Sequence, residues 1–116
     1  MAIKEAKGTF AIIDGKEIEF PSNELKFDAL ADQWRADRGP QSSISRLSMH
    51  PCYQQIIGMG DVAIPFILGE LGKKPDHWFW ALSSITGADP VRPESSGILR
   101  EMAADWINWG RANGYC

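Results

Sequence analysis

The chain has 116 residues, 44% hydrophobic and 23% charged, with a formal net charge of −3. This is one domain's length with an ordinary globular composition, since two separate cores would each be too small to be stable. The mild acidity argues against nucleic acid or anionic lipid as a generic partner, and there is neither an apolar run of the ~20 residues that span a bilayer nor a signal-peptide pattern, so a cytoplasmic protein is expected.

Residues 8–20 read as a β-hairpin. Phe10 and Ile12 alternate with Thr9 and Ala11, Ile18 and Phe20 alternate with Glu17 and Glu19, and Asp14-Gly15 lies between the arms. That dipeptide supplies the positive φ angles of a type I′ turn. An isolated hairpin is marginal in water, so Phe10, Ile12, Ile18 and Phe20 are expected to rest on the helices or on a partner chain.

Pro21 stops the second strand, and Ser22 or Asn23 caps a helix running to about Arg38, with the stripe Phe27, Leu30, Ala31 and Trp34. Arg35 and Arg38, close in sequence to Asp32 and Asp37, read as a solvated helix face. Gly39-Pro40 ends that helix, and the serine-rich residues 41–49 carry no clean period and read as a surface loop.

Pro51 suits the first position of a short helix bearing Tyr53, Ile56 and Ile57 and ending at Gly58-Met59-Gly60. The next helix opens at Asp61 or Val62, carries Ile64, Ile67, Leu68 and Leu71, and ends at residues 72–75. Asp76 then caps a helix from His77 to about Thr86. Successive helical positions turn by about 100°, so Trp78, Phe79 and Trp80 cannot share one face, and at least one of the two tryptophans must point away from the core. Gly87 stops this helix and residues 89–93 form a rigid linker. The last helix runs from Glu94 or Ser96 to Ala112, with Leu99, Met102, Ala103, Trp106, Ile107 and Gly110 as its stripe and Trp109 beside it.

The segment from Gly58 to Gly87 resembles a HEAT-like helical repeat: a helix ended by glycine, a short link, a helix with an early proline at Pro65, a Leu-Gly-Lys-Lys-Pro break and a further helix. The predicted fold class is therefore mainly α. A short N-terminal β-hairpin is followed by about five short helices packed as HEAT-like antiparallel hairpins. They form a single domain over 1–116, with the hairpin at 8–20, a helix and surface loop at 22–49, and the helical core at 50–116.

The wider stretch from His50 to Tyr115 is similar to a family of small uncharacterised bacterial proteins. The motifs are His-Pro-x-Tyr-Gln-x-Ile-Ile-Gly-Met-Gly at 50–60, Pro-Asp-His-Trp-Phe-Trp-Ala-Leu at 75–82 with Ile-Thr-Gly at 85–87, and Trp109-Gly110 with Gly114-Tyr115. The resemblance implies an accessory factor of a mobile element or of a toxin–antitoxin pair, and carries no established activity. The hairpin lies outside the family's pattern.

Candidate chemistry is sparse. A structural zinc site draws on four Cys or His ligands with a close pair, whereas Cys52, Cys116, His50 and His77 would have to converge from three segments. Asp76-His77 is a conceivable acid–base pair, but adjacent side chains on a helix diverge, and a capping role for Asp76 accounts for it. His50 and Cys52 lack a third group to orient a base. The glycines follow no strand and precede no Gly-Lys-Ser/Thr, so no phosphate loop is present.

The five tryptophans are the strongest signal. Some must fill the core, and the rest form an exposed patch of the kind enriched at interaction hot spots. The expected function is a non-enzymatic protein–protein interaction module, without cofactor or metal. It would inhibit or regulate a partner protein by surface occlusion, as an antitoxin or anti-defence inhibitor does. The candidate partner-binding residues are Trp80, Trp109, Tyr53 and His77, with Ile18 and Phe20 on the strand edge as a second contact that also permits a homodimer. The alternative is a small metal-binding protein or hydrolase using His50 and His77.

Overall fold

The computed structural model describes residues 9–39 and 43–116. A two-stranded antiparallel hairpin, β1 (Thr9–Ile13) and β2 (Lys16–Phe20), is followed by six α-helices: α1 (Asn23–Asp37), α2 (Ile44–Met49), α3 (Pro51–Gly58), α4 (Ile64–Lys73), α5 (Phe79–Thr86) and α6 (Leu99–Ala112). Short 3-10 turns at Gly60–Ala63 and Pro93–Ser95 lead into α4 and α6. The fold is thus mainly helical with an N-terminal hairpin, and its packing is compatible with HEAT-like hairpins.

The hairpin turns at Asp14 (φ 54°) and Gly15 (φ 75°), as the dipeptide predicts. Its register corrects the expected inward face. Ile13 pairs with Lys16, Ala11 with Ile18 and Thr9 with Phe20, whereas Phe10 and Ile12 pair with Glu19 and Glu17. Directly opposed residues share a face, so a two-residue turn puts even-numbered residues of β1 with odd-numbered residues of β2. Phe10 and Ile12 therefore lie with the glutamates and are exposed, while Ala11 is buried and Ile13 and Phe20 pack against the core.

In α1 the Ser22 hydroxyl accepts from the Leu25 N–H, and Phe27, Leu30, Ala31 and Trp34 are all buried, as their spacing predicts. Residues 44–49 are a helix, not the expected loop. Ser43 caps it by accepting from the Arg46 N–H, and Leu47 and Ser48 are buried. Six residues are too few to display a period, and the Trp34 indole N–H, donating to the Leu47 carbonyl at 2.9 Å, ties this turn to α1. The adjoining residues 41–42 of that expected loop, and residue 8 of the expected hairpin, lie outside the described residues.

Helix α1 packs chiefly on α3, α3 on α5, and α4 on α6. At the centre Trp78 meets Trp34 (ring centroids 4.6 Å apart), Phe27 (5.6 Å) and Tyr53 (stacked, 5.9 Å). Trp78 is fully buried and Trp80 is 58% exposed, the division that helical geometry requires of the pair. Of the two arginines read as a solvated face, Arg35 keeps its local pair with exposed Asp32 (3.4 Å), but both also fasten α1 to distant segments. Arg35 pairs with Glu70, and Arg38 grips Asp76 with both its terminal nitrogens (2.9 and 2.8 Å) while its guanidinium covers the Trp34 ring at 4.7 Å. Among the described residues, no single helix is long and apolar enough to cross a membrane.

Candidate interaction groove

Four segments enclose an apolar groove of about 700 Å³: α2, α5, the 89–97 linker and α6. The volume falls in the range of ligand-sized sites, on the order of 300–1,000 Å³. Tyr53 and Trp106 form its floor, and both are essentially inaccessible within the folded chain. Ile44, Phe79, Trp80, Val91, Leu99 and Met102 supply apolar wall, and His77, Asp89 and Arg92 are its ionisable groups. Ile44 and Trp80, 59% and 58% exposed, are large apolar side chains that the rest of the chain leaves uncovered.

Each wall is held by a polar device. Helix α5 has no side-chain cap of its own at Trp78. The Tyr53 hydroxyl reaches across from α3, accepting from the Ala81 N–H (2.9 Å) and donating to the His77 carbonyl (3.0 Å). Burial pushes the Tyr53 phenol far above its ordinary range, so it remains a hydroxyl with a proton to give. Asp76 accepts from the His77 N–H (2.8 Å) as well as from Arg38, which fixes the chain as it enters α5. Burial acts to raise the Asp76 carboxyl, but the Arg38 guanidinium and the His77 N–H outweigh it and hold the group below the ordinary carboxylate range.

The linker is pinned to α6 through Asp105, which accepts from the Arg92 backbone N–H (3.0 Å) and from Arg92 Nε (2.9 Å). The Arg92 N–H, the Ser95 hydroxyl and the Arg92 guanidinium hold the Asp105 carboxyl below its usual range. Neither Arg92 nor Asp105 was a sequence candidate. Their pairing spans 13 positions with no periodic signal, whereas Ile44 was discoverable from the Ser43 cap immediately before it.

The expected patch of Trp80, Trp109 and Tyr53 is divided. Tyr53 is fully buried, because its hydroxyl is used inside and its ring stacks on Trp78, so it offers no exposed contact. Trp109 does not line the groove; it is half-buried, edge-on to Trp106 and stacked on Tyr115 at 5.6 Å. His77 lines the groove beside Trp80. Ile18 is 38% exposed, and Phe20 is mostly turned onto the core; both belong to the hairpin rather than to the groove.

His50 does not join His77. Its Nδ1 accepts from the Cys52 N–H (3.0 Å), capping α3, and its Nε2 lies 2.9 Å from Asp37 Oδ2. With Nδ1 an acceptor, the ring proton sits on Nε2 and is given to Asp37, so both nitrogens are in use. The Gln33 amide and then the His50 ring lower the Asp37 carboxyl. Burial raises the Cys52 thiol, the opposite of what activates a nucleophile. Among the described residues, no group of three or more His, Cys, Asp or Glu side chains converges as metal ligands would.

The groove thus presents apolar area and a few rim groups suited to orienting an occupant. Comparison with known proteins finds no matching family model, no significantly similar curated protein and no significantly similar solved structure.

Proposed function

We propose that this protein is a non-enzymatic interaction module of the cytoplasm that inhibits or regulates a partner protein by occupying its surface. The reading is antitoxin-like or anti-defence, in a bacterial or mobile-element setting. The observation that carries it is the pair of uncovered apolar side chains, Ile44 and Trp80, set over the aromatic floor of one groove. Contiguous exposed apolar surface of this kind marks interaction sites, and a half-exposed tryptophan beside a deep aromatic floor has the makings of a hot spot. His77 and Arg92 contribute orientation at the rim, and Trp109 supports the floor through Trp106.

The test is affinity capture from the native host, followed by reconstitution of the complex from purified components. Trp80→Ala and Ile44→Ala are expected to weaken the reconstituted complex by about tenfold or more, with little change in thermal midpoint, since both side chains are already largely in water. A partner bound undiminished by both variants would overturn the assignment of the groove. His77→Ala distinguishes the alternative: a hydrolase or metal protein would lose its activity or metal on that change while keeping its protein contacts.

A further inference from the structure

We propose a second docking site, independent of the groove: the outer edge of β2, which receives one extended basic strand of a partner protein. That strand carries Lys or Arg at alternate positions with an aliphatic residue between them.

Asp14 and Gly15 close a two-residue loop, so Ile13 and Lys16 form the first hydrogen-bonded pair and the pattern alternates outward from there. The backbone groups of Ile12, and across from it Glu17, therefore point away from the partner strand, as do those of Phe10 and Glu19. On β1 this is directly visible. The Gln55 side chain accepts from the Ile12 N–H (2.8 Å) and donates to the Ile12 carbonyl (2.7 Å), standing in for a neighbouring strand. On β2, no hydrogen bond from the described residues reaches the outward groups of Glu17 and Glu19. The β1 edge is closed by a side chain at Ile12, and the β2 edge is open at both Glu17 and Glu19 to the described residues.

Charge decides what fits the open edge. Glu17 and Glu19 project on the outer face, beside exposed Phe10 and Ile12. A second copy adding antiparallel, with Ile18 opposite Ile18, sets each of these glutamates against a glutamate of the other chain. Shifting by two residues either way still leaves a Glu–Glu pair, and like charges directly opposed destabilise a ladder. The edge is thus guarded against self-pairing in a common way. The same carboxylates favour a strand with a cation opposite each of them. Its aliphatic residue meets Ile18 on the other face.

The experiment uses the whole protein and the synthetic peptide acetyl-Thr-Lys-Val-Lys-Val-Lys-Thr-amide, followed by amide NMR. Saturation at one peptide per protein is expected, with shifts and slowed exchange at the Glu17 and Glu19 N–H groups. Methylating the backbone nitrogens of the peptide's lysines removes the donors that the edge needs, and Glu17→Lys with Glu19→Lys removes the charge match. Each change should weaken binding about tenfold or more, and a Glu-for-Lys peptide should bind the reversed protein. Equal affinity for the methylated peptide would reduce the contact to charge attraction and overturn the proposal. Shifts centred on Trp80, or a protein already dimeric through β2, would also overturn it. Trp80→Ala should leave peptide binding unchanged, which separates failure here from failure of the groove reading.

Discussion

The Tyr53 hydroxyl takes the N–H of Ala81 at 2.9 Å, so a side chain of α3 does for α5 what a capping serine does for α1. The first turn of any helix leaves N–H groups without partners, and here one of them is buried where water cannot substitute. Tyr53→Phe removes the acceptor for Ala81 and the donor for the His77 carbonyl together. It should lower unfolding free energy by about 2–3 kcal/mol in urea titrations. Tyr115→Phe, which keeps the half-buried ring stacked on Trp109, serves as the control and should cost less than about 0.5 kcal/mol.

Trp34 and Trp78 touch each other and differ in one respect. The Trp34 indole N–H donates to the Leu47 carbonyl, while the buried Trp78 Nε1 has no hydrogen-bond partner among the described residues. Replacement by phenylalanine removes similar volume from each site. Trp34→Phe also takes the shorter of two donors from the Leu47 carbonyl, leaving it only the 3.4 Å bond from the His50 N–H, whereas Trp78→Phe removes an N–H that was already unsatisfied. The first change should therefore destabilise by about 1 kcal/mol more than the second, read from paired denaturation curves.

Asp76 gives the fold an acid limit. Its carboxyl is held below the ordinary range in the folded chain, so the folded state binds its proton less readily than the unfolded state does. The stabilisation is complete above the unfolded value of about 3.9 and drains away as pH falls through the lower folded value. Asp76→Asn should cost about 2 kcal/mol at pH 7, since it breaks a largely buried bidentate pair with Arg38. The gap between variant and parent should narrow steadily below about pH 4, as the parent's own carboxylate takes up its proton.

Much of this architecture is readable from residue spacing. Phe27, Leu30, Ala31 and Trp34 fall on one helical face and are all buried, and Asp14-Gly15 turns the chain where a type I′ turn demands it. Local patterns succeed because they depend on a few neighbouring residues. The hairpin's inward face was equally available from parity across a two-residue turn, and the alternation within each strand alone conceals it. What could not be read is what long-range packing creates. Arg38 and Asp76 meet over a separation of 38 positions, and the groove gathers Ile44, Tyr53, Trp80 and Trp106 from four helices. Tyr53 shared a helical face with Ile56, which pointed inward; its aromatic ring suggested a contact surface, and its hydroxyl partners were invisible.

Gln55 supports the hairpin through the backbone of Ile12 alone, with both amide atoms engaged. Gln55→Ala should raise the exchange rate of the Ile12 N–H about tenfold or more, while the outward Glu17 N–H, already open, stays as it was. Global stability should fall by about 1 kcal/mol.

The same glutamine sets the valence of the sheet. A strand ribbon with two free edges can be extended from both sides, and a chain of such additions has no natural end. Here one edge terminates in an amide that belongs to the molecule itself, and the other bears charges that reject an identical copy. Repetition of the same chain is hindered on both sides, at Ile12 by the amide and along β2 by like charge, so any strand that joins this sheet through β2 has to differ in sequence from β2 itself.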